Sequence, residues 1–323
     1  MTGRSSELER IARIAARFAV PAGSAIARGI GDDAAVLDGG LRGAAQIVWT
    51  VDAQVEGVHF RTDLASWEDV GWRSFMAAAS DLAAMGATPW CALGSLVLSP
   101  VIDDAALDAL TLGQSDAARA VGAPIVGGNL SRGGEVSVTT TLLGTCARAV
   151  ERTAQAGDGV WLAGDVGLAA AGLAALERKL DPTRDADVAL AVAAWRRPRA
   201  RIADGLAMAR LARGAIDVSD GLARDLGHIA HAARVRAVLE EPALRDLVAP
   251  NLVRLAALLG KDPLDFALGG GEDYALVAAS ASKIPGFVRI GRFEAGEGVA
   301  LEDRSGRAHP LHAHGFDHFA PSP

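Results

Sequence analysis

Residues 46–52 ("QIVWTVD"), 91–99 ("CALGSLVLS") and 135–150 ("EVSVTTTLLGTCARAV") read as apolar, β-branched strands, while 67–87 and 103–122 carry helical apolar spacing. These strands and helices do not alternate one for one. That order argues against a doubly wound parallel sheet and predicts an α/β chain built in α+β layers. A second run of elements opens with "GDGVWLAG" (157–164), continues through a helix over 167–180, and closes on the strand-like "YALVAAS" and "FVRIGRF". The turn between the long strand and this second run places a domain boundary near 149, with units 1–149 and 150–323. A chain of 323 residues can bury two such cores. Residues 5–18 read as an amphipathic helix, and no repeat of 20–50 residues is visible.

Several function classes fall away. No run of eighteen apolar residues occurs, so no membrane span is expected. The first twenty residues carry acids and lack a long apolar stretch with a cleavage site, which predicts a cytoplasmic protein. A net charge of −7 argues against broad nucleic-acid binding. Cys91 and Cys146 each lie in an apolar stretch and suggest neither a disulfide framework nor a zinc site. His309, His312, His314 and His318 fit no zinc spacing. Only Lys179, Lys261 and Lys283 are lysines, and there is no Walker-type phosphate loop. If the chain handles phosphates, then metal ions, arginines and backbone amides must do it.

Acids recur where apolar segments end: Asp32 and Asp33 in "GIGDDAAVL", Asp52 and Glu56 in "VDAQVEGVHF", Asp81 in "SDLAAMGA", Asp217 and Asp220 in "IDVSDGLARDLGHI", Glu272 and Asp273 in "GGGEDY". Taken singly, most read as turn acids, and Asp220 reads as a helix N-cap. Asp81 resists that reading, because it falls inside a helix among Ala, Met and Leu. As a set they exceed what caps and turns need, and lysines are too few to pair with them. Hard divalent cations take carboxylate oxygens, and Mg²⁺ bridges to nucleotide phosphates. The glycine runs at 127–128 and 269–271 could bring backbone amides to an anion.

In order, "GIGDDAAVL", "VDAQVEGVHF", "SDLAAMGATP", "GGNLSRG", "IDVSDGLARDLGHI", "GGGEDYAL" and "GFDHF" resemble the thiamine-monophosphate kinase family of the aminoimidazole-ribonucleotide-synthetase-like superfamily, from about residue 29 to 319. The resemblance implies ATP-dependent phosphorylation of thiamine monophosphate to thiamine diphosphate, the last step in making that cofactor. It implies several Mg²⁺ ions, direct in-line transfer and no covalent nucleophile. It implies a two-domain fold: an N-terminal sheet completing a barrel across a homodimer, and a C-terminal α/β sandwich. Carried over by motif, Asp33, Thr50, Asp52, Asp81, Asn129, Asp217 and Asp220 resemble metal ligands; Gly128, Arg152 and Ser219 resemble ATP contacts; His59, Glu272 and Phe316 resemble substrate contacts. Asn129 stands where relatives often have Asp, so its amide oxygen adds no charge.

Two other readings compete. One is a different superfamily synthetase making an acyl- or seleno-phosphate. The N-terminal Cys or selenocysteine and the C-terminal Cys those enzymes use are missing here. The other is a nucleotide-binding scaffold with reduced activity, against which the full acid set argues.

Overall fold

The computed structural model describes residues 26–28, 32–41, 43–100 and 102–311. Its first sheet contains β1 (Ile26–Arg28), β2 (Ala35–Leu41), β3 (Ala44–Val55), β4 (Thr88–Leu98), β5 (Ile125–Arg132) and β6 (Ser137–Cys146), in the order β1-β2-β3-β6-β4-β5. All neighbours are antiparallel except β4 and β5. The period of two expected of a half-buried strand is plain on β6, where Val138, Thr140 and Leu142 point inward and their neighbours do not. On β3 the same alternation turns Val48, Thr50 and Gln54 inward and leaves Trp49 and Val51 on the outer face.

Two helices cover the inner face. Helix α1 (Trp67–Ala84) starts at a capping box: Ser66 Oγ accepts from Asp69 N–H at 3.2 Å, and the Asp69 carboxylate accepts from Ser66 N–H at 3.3 Å. It stops at Gly86, whose φ of 64° few other residues tolerate. Helix α2 (Asp104–Val121) crosses α1 where glycines remove side chains from both. A Cβ on Gly71 would lie 1.9 Å from the Leu110 carbonyl oxygen, and one on Gly113 would lie 1.9 Å from that of Glu68.

The second sheet runs β13-β12-β9-β11-β7-β10-β8. Its strands are β7 (Gly159–Ala163), β8 (Gly214–Asp217), β9 (Arg236–Glu240), β10 (Leu276–Ser280), β11 (Val288–Glu294), β12 (Gly298–Glu302) and β13 (Ala308–Leu311). One face packs on α3 (Leu168–Glu177), α4 (Ala186–Arg196), α6 (Leu222–Ala233), α7 (Glu241–Leu247) and α8 (Pro250–Leu259). The other meets α5 (Ile202–Met208) and the C-terminal end of α1. Strands β8 and β10 are therefore buried on both faces, which suits their apolar sequences.

Helix α1 thus lies between the two sheets, touching β3 and β6 on one side and β8 and β10 on the other. A helix buried nearly all round should be apolar nearly all round. Among the exceptions are Arg73 and Asp81, and both lead to the cavity between the halves.

Candidate active site

Three carboxylates meet at that junction. Asp33 comes from the turn before β2, Asp81 from the last turn of α1, and Asp217 from the end of β8. One carboxylate oxygen of each lies within 4.8 Å of the others. Burial, and then the neighbouring Asp33, pushes the Asp217 carboxyl up to about 7. Asp81 moves in the same direction, first through burial and then through Asp217. Thr50 donates its hydroxyl to Asp81 Oδ2. Arg152 compensates part of the charge: its Nε donates to Asp33 Oδ1 at 3.2 Å, and its backbone N–H donates to Asp32 at 2.9 Å. The other oxygen of Asp33 is buried with no hydrogen-bond partner among the described residues. An orphaned carboxylate oxygen beside two further carboxyls is an all-oxygen donor set that fits a hard divalent cation.

The cavity next to this cluster has a volume of about 910 Å³. Its lining includes Asp52, Asp81, Asp217, Ser219 and Asp220, together with His59, Trp195 and Glu272. His59 Nδ1 accepts from Val55 N–H at 3.0 Å. Glu272 accepts from the Trp195 indole N–H at 2.7 Å and from Arg73. Its backbone is left-handed, with φ of 64°, and Tyr274 follows at 50°. Two such residues so close together mark a turn held by its surroundings. The surroundings are the loop after β8: Glu272 N–H donates to Ser219 O at 2.8 Å, and Tyr274 N–H to Val218 O at 2.9 Å. Gly271 allows the approach, since a Cβ there would lie 2.3 Å from the Ser219 carbonyl oxygen. Within "GGGED", the Glu272 amide is thus spent on this packing, and the Gly270 amide on Phe266 O at 2.8 Å.

Comparison with known proteins follows the same outline. The AIR synthase related protein models match in two parts, the N-terminal domain over residues 31–146 and the C-terminal domain over 155–301. Thiamine-monophosphate kinase of Aquifex aeolicus is 30% identical over 295 residues, covering 90% of this chain and 92% of its own. Its counterpart in Escherichia coli K12 is 34% identical over 316 residues, with the same coverage. The chain belongs to the thiamine-monophosphate kinase family. A solved structure described as AaThiL complexed with AMPPCP and TMP superposes with a TM-score of 0.87 at 28% identity, covering 99% of this chain and 100% of that one.

For this family member, the described residues bring Asp33, Thr50, Asp52, Asp81, Arg152, Asp217, Ser219, Asp220, His59 and Glu272 to one region. Gly128 and Asn129 lie elsewhere. They sit on β5, three strands beyond β3 in the sheet, and line a separate groove of about 850 Å³ against α2. Phe316 lies outside the described residues, as do the 5–18 helix and the "GFDHF" segment.

The sequence reading also missed the loop's organiser. Asp220 does not cap α6: the N-cap is Gly221, with no side-chain cap. Instead Asp225, one turn into the helix, accepts from the backbone N–H groups of Ser219, Asp220 and Gly221 at 3.0, 3.0 and 3.1 Å. Burial and the nearby Asp220 and Asp217 raise its carboxyl well above the ordinary range. The available signal was an acid between Leu222 and Leu226 in the first turn of a helix, weaker than the one that marked Asp81 because Arg224 stands beside it.

Proposed function

We propose that this protein transfers the γ-phosphoryl group of ATP to the phosphate of thiamine monophosphate, giving thiamine diphosphate and ADP. The observation that carries this reading is the meeting of Asp33, Asp81 and Asp217 beside a cavity that also presents Glu272 and His59. It occurs in a chain matched over nine-tenths of its length by relatives named for this activity. A phosphate oxygen of the acceptor bonds to the γ-phosphorus as the bond to the bridging β,γ-oxygen breaks, and ADP leaves. The acceptor is already ionised, so no side chain is assigned to proton abstraction. Catalysis then rests on alignment and charge compensation.

Asp33, Asp81 and Asp217, with Thr50, Asp52 and Asp220 close by, are the residues that would hold Mg²⁺. The ions supply neutralisation of phosphate charge and a template for alignment. Arg152 and Ser219 would face the ATP phosphates, while His59 and Glu272 would contact thiamine monophosphate. Gly128 would meet the nucleotide from the groove against α2, and Asn129 beside it would offer its amide oxygen to a metal ion. Phe316 completes the substrate set.

We also propose a homodimer joined through the outer face of the first sheet. Trp49, Val51 and Leu93 are 49%, 66% and 45% exposed there, an apolar patch that a lone domain seldom leaves bare. ATP as co-substrate supports a cytoplasmic setting.

The deciding assay mixes pure protein, ATP and Mg²⁺ with thiamine monophosphate or free thiamine, and follows ADP and thiamine diphosphate. Turnover with the monophosphate, abolished by a chelator and weak with free thiamine, is the expected result. Equal or better turnover of thiamine overturns the reading.

A further inference from the structure

Arg73 sits in the middle of α1 with no solvent exposure. A guanidinium so buried needs a matching anion. Its anion is far away in sequence: Nη2 donates to Oε1 of Glu272, in the loop before β10. Nη1 donates to the Trp195 carbonyl at 3.0 Å, and the guanidinium lies over the Trp195 ring, 4.5 Å from its centroid. Trp195 in turn donates its indole N–H to Oε2 of Glu272 at 2.7 Å. The three side chains close a ring of contacts in which each Glu272 oxygen has its own donor. The Arg73 Nε remains buried with no partner among the described residues, a cost that simple packing would avoid.

Within this ring, Glu272 and Trp195 both line the cavity, and Glu272 is the more open of them, with 24% of its side chain exposed, against 2% for Trp195 and none for the Arg73 side chain. A carboxylate accepts about four hydrogen bonds, so two donors leave lone pairs for a ligand. A loose glutamate would have to be ordered when the ligand arrives; this one already is.

We propose that Arg73 and Trp195 are positioning residues for Glu272. They fix its carboxylate as an oriented acceptor for the amino group of the substrate's pyrimidine ring, the ring joined to its positively charged thiazolium. The inference rests on the function proposed above and names what gives Glu272 its pose. Arg73 belongs to the first half of the chain, and Trp195 and Glu272 to the second. The contact therefore also sets the Glu272 carboxylate in register with Asp81, two turns further along α1.

The test uses two smaller replacements of Trp195, of which histidine removes the more volume, so a recovery in the His variant cannot come from packing. Trp195→Phe loses the ring donor. Trp195→His keeps one, because imidazole Nε2 can occupy the place of indole Nε1. At pH 8, Trp195→Phe should raise the KM for thiamine monophosphate roughly tenfold, the loss of one charge-assisted hydrogen bond. Its kcat and its KM for ATP should stay near the wild-type values. Trp195→His should recover most of the lost affinity. On a Glu272→Gln background, Trp195→Phe should add little further. Arg73→Lys, which keeps the charge but loses the fork, provides the same reading if Trp195→Phe does not fold. An unchanged KM in Trp195→Phe overturns the proposal. So do equal losses in the Phe and His variants with additive effects on the Gln background, which would mean packing alone. Wild-type protein that hydrolyses ATP but ignores thiamine monophosphate would instead overturn the proposed function, and this inference with it.

Discussion

At the scale of single residues, burial makes the carboxylates expensive and therefore informative. Asp217→Asn removes one charge from a repelling cluster. The metal-free protein should keep its melting temperature or gain a little, while kcat/KM falls by about 10² or more. A thermal-shift titration with Mg²⁺ and a turnover assay check both halves. Asp273 offers a cleaner pH experiment. It accepts from Gly167 and Ala169 N–H at 2.6 and 3.0 Å and so ties the loop to the start of α3. Burial still pushes its carboxyl up to about 7. A carboxyl raised on folding binds more protons folded than unfolded, so its contribution to stability declines as pH rises from about 4 to 7 and is flat above. Relative to Asp273→Asn, the wild type should lose ground across that window by as much as a few kcal/mol, measured by urea unfolding at several pH values. Asp33, Asp81 and Asp217 were legible in the sequence because each stands beside apolar neighbours. Arg73 was not. Its partner, Glu272, lies 199 positions away, and no local pattern encodes that pairing.

At the scale of elements, periodicity and caps located α1, α2, β3, β4 and β6 closely, because each has a regular period and a clear stop. The run 125–132 did not read as a strand, since Gly127, Gly128 and Asn129 are poor strand formers. Pairing with β4 overrides that propensity and turns an expected anion loop into the sheet's edge. The α1–α2 crossing was equally hidden, because a glycine inside a helical pattern does not announce what approaches it. Gly113→Ala should cost about 1–3 kcal/mol, since the obstruction is backbone and cannot swing aside. Gly134→Ala, where a Cβ meets nothing within 4 Å, should stay within about 0.5 kcal/mol of wild type. Thermal or urea unfolding of the two variants makes the comparison.

At the scale of the whole molecule, the outer face of the first sheet should control association. Sedimentation should give twice the chain mass, and Leu93→Glu should shift it toward the monomer by burying a charge at the joint. A Leu93→Glu protein that remains dimeric would move the interface elsewhere. The composite origin of the carboxylate cluster has a further outcome, in the order of synthesis. Asp33 and Asp81 leave the ribosome well before Asp217, by roughly 10 to 30 s at about 5–20 residues per second. During that interval the nascent first half carries two carboxylates without the third, and nothing with which to assemble the ion site. Chains terminated before β8 are therefore born without the complete cluster and would compete poorly with finished ones for a metal ion. Any cation the cluster holds would in effect be a seal applied only to completed copies.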